Sequence, residues 1–298
     1  MNRPLFEKNF NILNLIIDTQ KEFLGTKEWS YRKNNLLLTY NEMMEENLLN
    51  NTYYSMVHEI RAIELFATMG HSRVAMDSDS EPGVDLFYGR NLIECVVSTP
   101  GKGDNYNALK QSGYQVYNRV IDYNEKFRQI SLRVLSSLYS KKKKYLVDID
   151  KGLLPSDQPF CIFVNLGSLA QEWFPGKMCN EANRFLVGRG KLAIRVEKDT
   201  GKFIDRQYNY DPFLDNNNNS PVCANFFGDI ENRCVSAVII STAELNEKYS
   251  NKNTYIFTNP FANNRLVLND FFGYPYWKMS KEKEYVPRVR GKRVKIKW

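Results

Sequence analysis

The spacing of apolar residues changes along the chain, and each change predicts a different element. From residue 1 to about 50, apolar positions recur at irregular helical spacing (Ile12, Leu15, Ile16, then Leu36 to Leu38, Met43, Met44 and Leu48) in a mostly polar background. That pattern predicts two helices, with Trp29 and Tyr31 anchoring the turn between them and the Asn-rich run from Asn47 to Thr52 as a connector. Ser55 to Met69 is a stronger helix, with Ser55 as N-cap, Gly70 as the C′ residue and apolar positions three and four apart between them. The composition then changes. Val84 to Tyr88 and Asn91 to Val97 are rich in β-branched, aromatic and aliphatic residues and are separated by Gly89 and Arg90, which suit a tight hairpin turn with Gly at its first central position.

Beyond the hairpin, a long amphipathic helix is predicted from about Gly113 or Tyr114 to Lys144, its buried stripe running through Val120, Phe127, Ile130, Val134 and Leu138. The four lysines from Lys141 to Lys144 would then sit at its C-terminus, where the helix dipole favours cations. Pro159 to Asn165 and Val235 to Ser241 are near-continuous apolar runs of the kind that form central strands covered on both faces, and Tyr255 to Thr258 is a shorter strand. These patterns predict an α/β protein with a small helical N-terminal module over 1–52 and a main domain over 53–275. An irregular insertion at about 176–232, with a local helix or strand pair, could act as a lid or partner surface. A basic C-terminal arm follows over 276–298.

Chemistry concentrates in the hairpin. If Tyr88 pairs with Asn91, Phe87 with Leu92 and Leu86 with Ile93, then Asp85 falls opposite Glu94 on one side of the sheet. Directly opposed Cβ atoms lie roughly 4.5–5.5 Å apart, and like charges there destabilise the pair. The arrangement therefore calls for a cation, a proton or a basic neighbour, and a hard divalent metal is one answer, because Mg²⁺ is held by one or two carboxylates together with water and substrate phosphate. On the preceding helix, Glu59 shares the apolar face with Met56, Ile63 and Phe66, where a carboxylate is costly unless something charged or hydrogen-bonding meets it. Arg61, Arg73 and Arg90 are the sequence's candidate partners for a purely structural acid.

Composition narrows the choice. No run approaches a membrane span and the first twenty residues lack the order of a secretory signal, so the expected setting is cytoplasmic. Five cysteines with no CxxC spacing point to buried thiols rather than zinc or disulfides, and only two histidines, His58 and His71, leave little for histidine-based chemistry. A net charge of +7 suggests a nucleic-acid partner. Its location matters more than its size: Arg288, Arg290, Lys292, Arg293, Lys295 and Lys297 all lie between Val286 and Trp298, a stretch without acids, and the rest of the chain is close to neutral.

The order of elements, a helix with an inward Glu, a strand with Asp, a hairpin, a strand with Glu and a long basic helix, resembles that of the PD-(D/E)XK nuclease superfamily. Pro82-Gly83-Val84-Asp85 is similar to its first motif with two residues between Pro and Asp, Glu94-Cys95-Val96 to its (D/E)XK motif, and Glu59 to the acid often supplied by the preceding helix. The resemblance covers residues 55 to 145 by motif and reaches about 260 by strand order. It implies a restriction-endonuclease-like mixed central sheet flanked by helices, and a nuclease using Mg²⁺, or Mn²⁺ in its place, with DNA ahead of RNA as substrate and a defence, restriction or toxin role.

In that reading Asp85 and Glu94 hold the metal, Glu59 completes or positions its water shell, and Lys102 or Arg128 faces the scissile phosphate. Arg128 and Lys141 contact nucleic acid, as do Arg288, Arg290, Lys292 and Arg293. A companion subunit or a homo-oligomer is compatible, and no membrane is involved. One departure stands out, since Val96 occupies the motif lysine position; Lys102, Arg128 and Lys141 are the candidates to replace it. The alternative is a catalytically inactive nuclease-fold protein that binds nucleic acid or assembles a complex.

Overall fold

The computed structural model of the chain describes residues 3–19, 21–46, 51–69, 74–75, 83–99, 123–167, 169, 175–244, 247–266, 271, 276–279, 285–289 and 292–293. In chain order the elements are α1 (Arg3–Thr19), α2 (Lys21–Glu46), α3 (Asn51–Thr68), β1 (Val74–Ala75), β2 (Leu86–Tyr88), β3 (Asn91–Val97), α4 (Tyr123–Asp150) and β4 (Phe160–Asn165). There follow α5 (Pro175–Val187), β5 (Arg189–Val196), β6 (Phe203–Tyr210), β7 (Phe213–Asp215), β8 (Pro221–Cys223), β9 (Val235–Ser241), β10 (Thr254–Thr258), β11 (Tyr276–Met279), β12 (Tyr285–Val289) and β13 (Lys292–Arg293).

The main sheet is mixed and runs β1-β2-β3-β4-β9-β10-β11-β12-β13 among the described residues. β3, β4 and β9 are parallel neighbours, and their connections pass through α4 and α5 as parallel pairing requires. Both predicted apolar runs are the central strands β4 and β9, buried along their whole length.

Alternation of side chains across those strands builds a core on each face. Leu92, Ile162, Val164, Val238 and Ile240 pack under α4 and α5, through Phe127, Ile130, Val134 and Leu138 of the predicted stripe and through Met178, Ala182 and Phe185. Cys95, Cys161, Phe163, Ala237 and Ile239 pack on the other face under Ala62, Ile63 and Phe66 of α3. A third cluster joins Leu13, Ile16 and Ile17 of α1 and Leu36 of α2 to the first half of α3.

Several boundaries differ from those read in the sequence. α2 passes straight through Trp29 and Tyr31, so neither lies in a turn. Trp29 instead ties the two helices from within α2, its Nε1 donating to Asp18 Oδ1 at 3.1 Å. α3 begins at Asn51, inside the predicted connector. α4 continues six residues past Lys144 to Asp150 and ends in a Schellman arrangement: Gly152 at φ 71°, its N–H donating to Ile149 O at 2.8 Å and Leu153 N–H to Asp148 O at 2.9 Å. The lysine run is therefore inside the helix, and the dipole does not explain it. The predicted start of α4 and Val120 lie outside the described residues.

The segment read as an insertion divides in two. Its helix α5 belongs to the main core, whereas β5–β6 and β7–β8 form separate two-stranded sheets. The described part of the C-terminal segment consists of strands β11 to β13 at the sheet edge. Among the described residues no helix is long and apolar enough to cross a membrane.

Candidate active site

The hairpin forms in the register its sequence predicts, with Leu86 opposite Ile93, Phe87 opposite Leu92 and Tyr88 opposite Asn91. Gly89 has φ 59°, as the first central position of a II′ turn requires. Pairing stops at Leu86, and Asp85 sits in a bend just before β2 rather than in a fourth ladder pair. Its Oδ2 accepts from the Cys95 N–H at 2.6 Å, which fixes the carboxylate beside β3. Glu94 lies on the same sheet face as Leu92, beneath α4, and its side chain is only 1% exposed.

Helix α4 supplies what opposes the two acids. Lys141 Nζ lies 2.6 Å from Glu94 Oε2 and 3.5 Å from Asp85 Oδ2, so one ammonium lies between the two carboxylates. Lys144, one turn on, reaches Glu94 Oε1 at 2.6 Å and donates to Gly83 O at 2.8 Å. An i, i+3 pair lies on one helix face, which lets both lysines descend on the same acid. Burial and the Asp85 charge push the Glu94 carboxyl up to about 7, with the Lys141 and Lys144 charges acting in the opposite direction. Burial works against the Lys141 charge as well, yet the Asp85 and Glu94 carboxylates hold that ammonium above its ordinary range. Val96, in the motif lysine position, is a partly buried packing residue of the α4-side core.

Glu59 is placed differently from the expectation. It does lie on the inward face of α3, but its carboxylate pairs with Arg32 of α2 rather than with Arg61, which bonds Glu64 at 2.9 Å. Burial raises its pKa, as does the charge of Asp85, while Arg32 and Lys141 lower it. Glu59 thus feels the Asp85 and Lys141 charges without joining their hydrogen bonds. Among the described residues no three His, Cys, Asp or Glu side chains gather as a metal-holding group, so Glu59 is not a third acid of the pair.

Arg128 lies thirteen residues from Lys141, roughly 20 Å along α4. There it grips Glu125 with two bonds of 2.7 Å and donates to Asp215 O at 2.5 Å, tying α4 to β7. It does not reach the hairpin. Lys102 and Arg290 lie outside the described residues. Arg288 of β12 and Arg293 of β13 are cross-strand neighbours, and Lys292 precedes Arg293. Lys144 and Arg32 were missed in the sequence. Gly152 is the signal that could have placed Lys144, since a helix read through to that glycine puts Lys141 and Lys144 in its interior on one face.

A divalent metal is implied by the resemblance, and the donor set fits one. Asp85 and Glu94 converge on a single cation position, with Lys141 Nζ within 3.5 Å of both. Two carboxylates are a sufficient protein contribution for Mg²⁺, which keeps several waters. No protein-family model, curated protein or solved structure matches the chain.

Proposed function

We propose that the chain has a restriction-endonuclease-like fold and is a metal-dependent nuclease, with DNA ahead of RNA as substrate. Asp85 and Glu94 would hold Mg²⁺ or Mn²⁺. When bound, such an ion polarises a phosphoryl oxygen and makes a nucleophile of water at neutral pH. The observation that carries the reading is the Lys141 ammonium between Asp85 and Glu94. It puts a cation from α4 where Val96 leaves the motif without one, within reach of a phosphoryl group engaged by the same two acids. Glu59 supports the site from behind through its charge, and Arg32 keeps it oriented.

The test is cleavage of plasmid or oligonucleotide in Mg²⁺ or Mn²⁺. Asp85→Ala and Glu94→Ala should each abolish metal-dependent cleavage, and Lys141→Met should reduce it by roughly 10²–10³-fold, with the helical signal in circular dichroism retained. Cleavage that persists in Asp85→Ala would falsify the assignment.

A second reading rests on a specific observation. Both Glu94 oxygens already have a lysine at 2.6 Å, so the acid is compensated without metal. A chain that kept the fold but lost catalysis would carry such a closed ion cluster, and would bind nucleic acid or assemble a complex. Calorimetry separates the two, because the closed cluster gives no Mn²⁺ binding heat in the wild type or in Lys144→Met.

A further inference from the structure

β5 and β6 pair only with each other among the described strands, and an isolated two-stranded hairpin is marginal in water. Its register sets which side chains share a face. Ile194 lies opposite Arg206, Leu192 opposite Tyr208 and Val196 opposite Phe203, with Ile204 the extra residue of a bulge. Successive side chains alternate, so Ile194, Val196, Phe203, Tyr208 and Tyr210 fall on one face, together with the exposed Arg206 opposite Ile194 and with Arg189, whose guanidinium lies 3.1 Å from the centre of the Tyr208 ring. Ala193, Arg195, Asp205 and Asn209 fall on the other, where Arg195 and Asp205 form an ion pair at 3.5 Å. The ribbon is thus amphipathic, but its apolar face is turned outward: Ile194 is 62% exposed, Val196 52%, Phe203 62% and Tyr210 66%. Leaving that much contiguous apolar surface in water is the mark of an interaction site.

We infer that this face is a homodimer interface, in which the apolar side of the β5–β6 ribbon packs on the same side of a second copy across a two-fold axis. A two-fold interface must be self-complementary, and an apolar face bordered by an ion-paired polar one meets that condition. At roughly 100–150 Å² of exposed side chain each, the five residues bury about 600 Å² per copy and on the order of 1,200 Å² in total, which reaches the range of specific interfaces. Packing turns a lone ribbon into a two-layer sandwich and supplies the second layer it lacks. Nucleic acid is the competing occupant, since Arg206 lies on this face; the second copy is favoured because five of the described side chains there are aliphatic or aromatic and the area they offer reaches that of a specific interface. The inference is independent of whether the carboxylate site holds a metal.

Sedimentation equilibrium of the full chain from about 1 to about 100 µM tests it, since dimer formation follows mass action. The wild type should move from the 34.9 kDa monomer to twice that mass. Val196→Asp/Phe203→Asp should remain monomeric throughout with an unchanged circular dichroism spectrum. The milder Phe203→Ser should raise the dimer dissociation constant at least tenfold, and Arg195→Ala on the polar face should leave it within threefold. A wild type that stays monomeric, or a dimer that survives both apolar-face variants, overturns the proposal. So does a monomeric wild type whose oligonucleotide binding is lost in Phe203→Ser, which would assign the face to nucleic acid.

Discussion

Two buried polar clusters lie on opposite faces of the main sheet, and they solve the burial of polar groups in opposite ways. On the α3 face, His58 is fully buried between Phe163 O, 2.9 Å from its Nε2, and the Tyr249 hydroxyl, 2.6 Å from Nδ1. The carbonyl can only accept, so Nε2 carries the proton and Nδ1 accepts from Tyr249. That hydroxyl in turn accepts from Asn165 Nδ2 at 2.9 Å. Every partner is neutral and no member faces water, which leaves the imidazole pushed down to about 4 by burial. On the α4 face, Asp85, Glu94, Lys141 and Lys144 are all ionisable, and Lys144 is 42% exposed at the outer end. The first cluster is a closed network that fixes α3 and the loop carrying Tyr249 to the sheet. The second is charged and reaches solvent through Lys144.

Substitutions that interrupt chemistry on one face should leave the other unmoved. On the proposed reading the largest expected effect is Glu94→Ala, with cleavage reduced by about 10³-fold or more, since it removes one of the two proposed metal carboxylates and leaves Lys141 facing Asp85 alone. Lys141→Met should lower kcat by roughly 10²–10³-fold, the size expected for loss of a preorganised cation. On the opposite face, His58→Ala should cost about 3 kcal/mol in urea denaturation, from the cavity and from the orphaned Phe163 carbonyl and Tyr249 hydroxyl. Its kcat in the folded state should be unchanged, and a kcat reduced tenfold in His58→Ala would show that the two clusters are not separate. Lys144→Met is expected to change stability by less than about 1 kcal/mol, because the group is half in solvent. It should also tighten Mn²⁺ binding by calorimetry, since one competitor for Glu94 has gone.

The two clusters were not equally legible in the chain. Three of the four hairpin pairs could be read, because a two-residue turn with Gly first leaves one pairing that keeps Leu86 and Ile93 together on one face; the fourth, Asp85 with Glu94, gives way to a bend before β2. The inward position of Glu59 followed from helical periodicity alone. Its partner did not, because Arg32 is 27 residues away on another helix, and only tertiary packing brings α2 against α3. Lys141 was one of three candidate cations, and its contact with Asp85 and Glu94 follows from the full length of α4, which depends on a glycine eight residues past the lysine run. The His58 network spans 191 residues to Tyr249 and has no local signature at all.

The smallest expected effect is in the wild type's response to pH, where the clusters oppose each other. His58 titrates near 6.5 when unfolded and about 4 when folded. Its neutral form is the one the fold accommodates, so its contribution is complete above pH 6.5 and is lost as pH falls towards 4. Glu94 runs the other way. Its carboxyl is raised from 4.5 to about 7, so burying the charged form costs stability above pH 7, and that cost disappears as pH falls to 4.5. Between pH 7 and pH 5 each effect amounts to about 2 kcal/mol with opposite sign. In the wild type the two therefore act in opposite directions on acidification. Removing one side unmasks the other: Glu94→Gln should lose about 2 kcal/mol on acidification from pH 7 to pH 5, and His58→Phe should gain a similar amount. Urea midpoints at the two pH values check both, and parallel shifts in the two variants would mean that the faces of the sheet do not titrate independently.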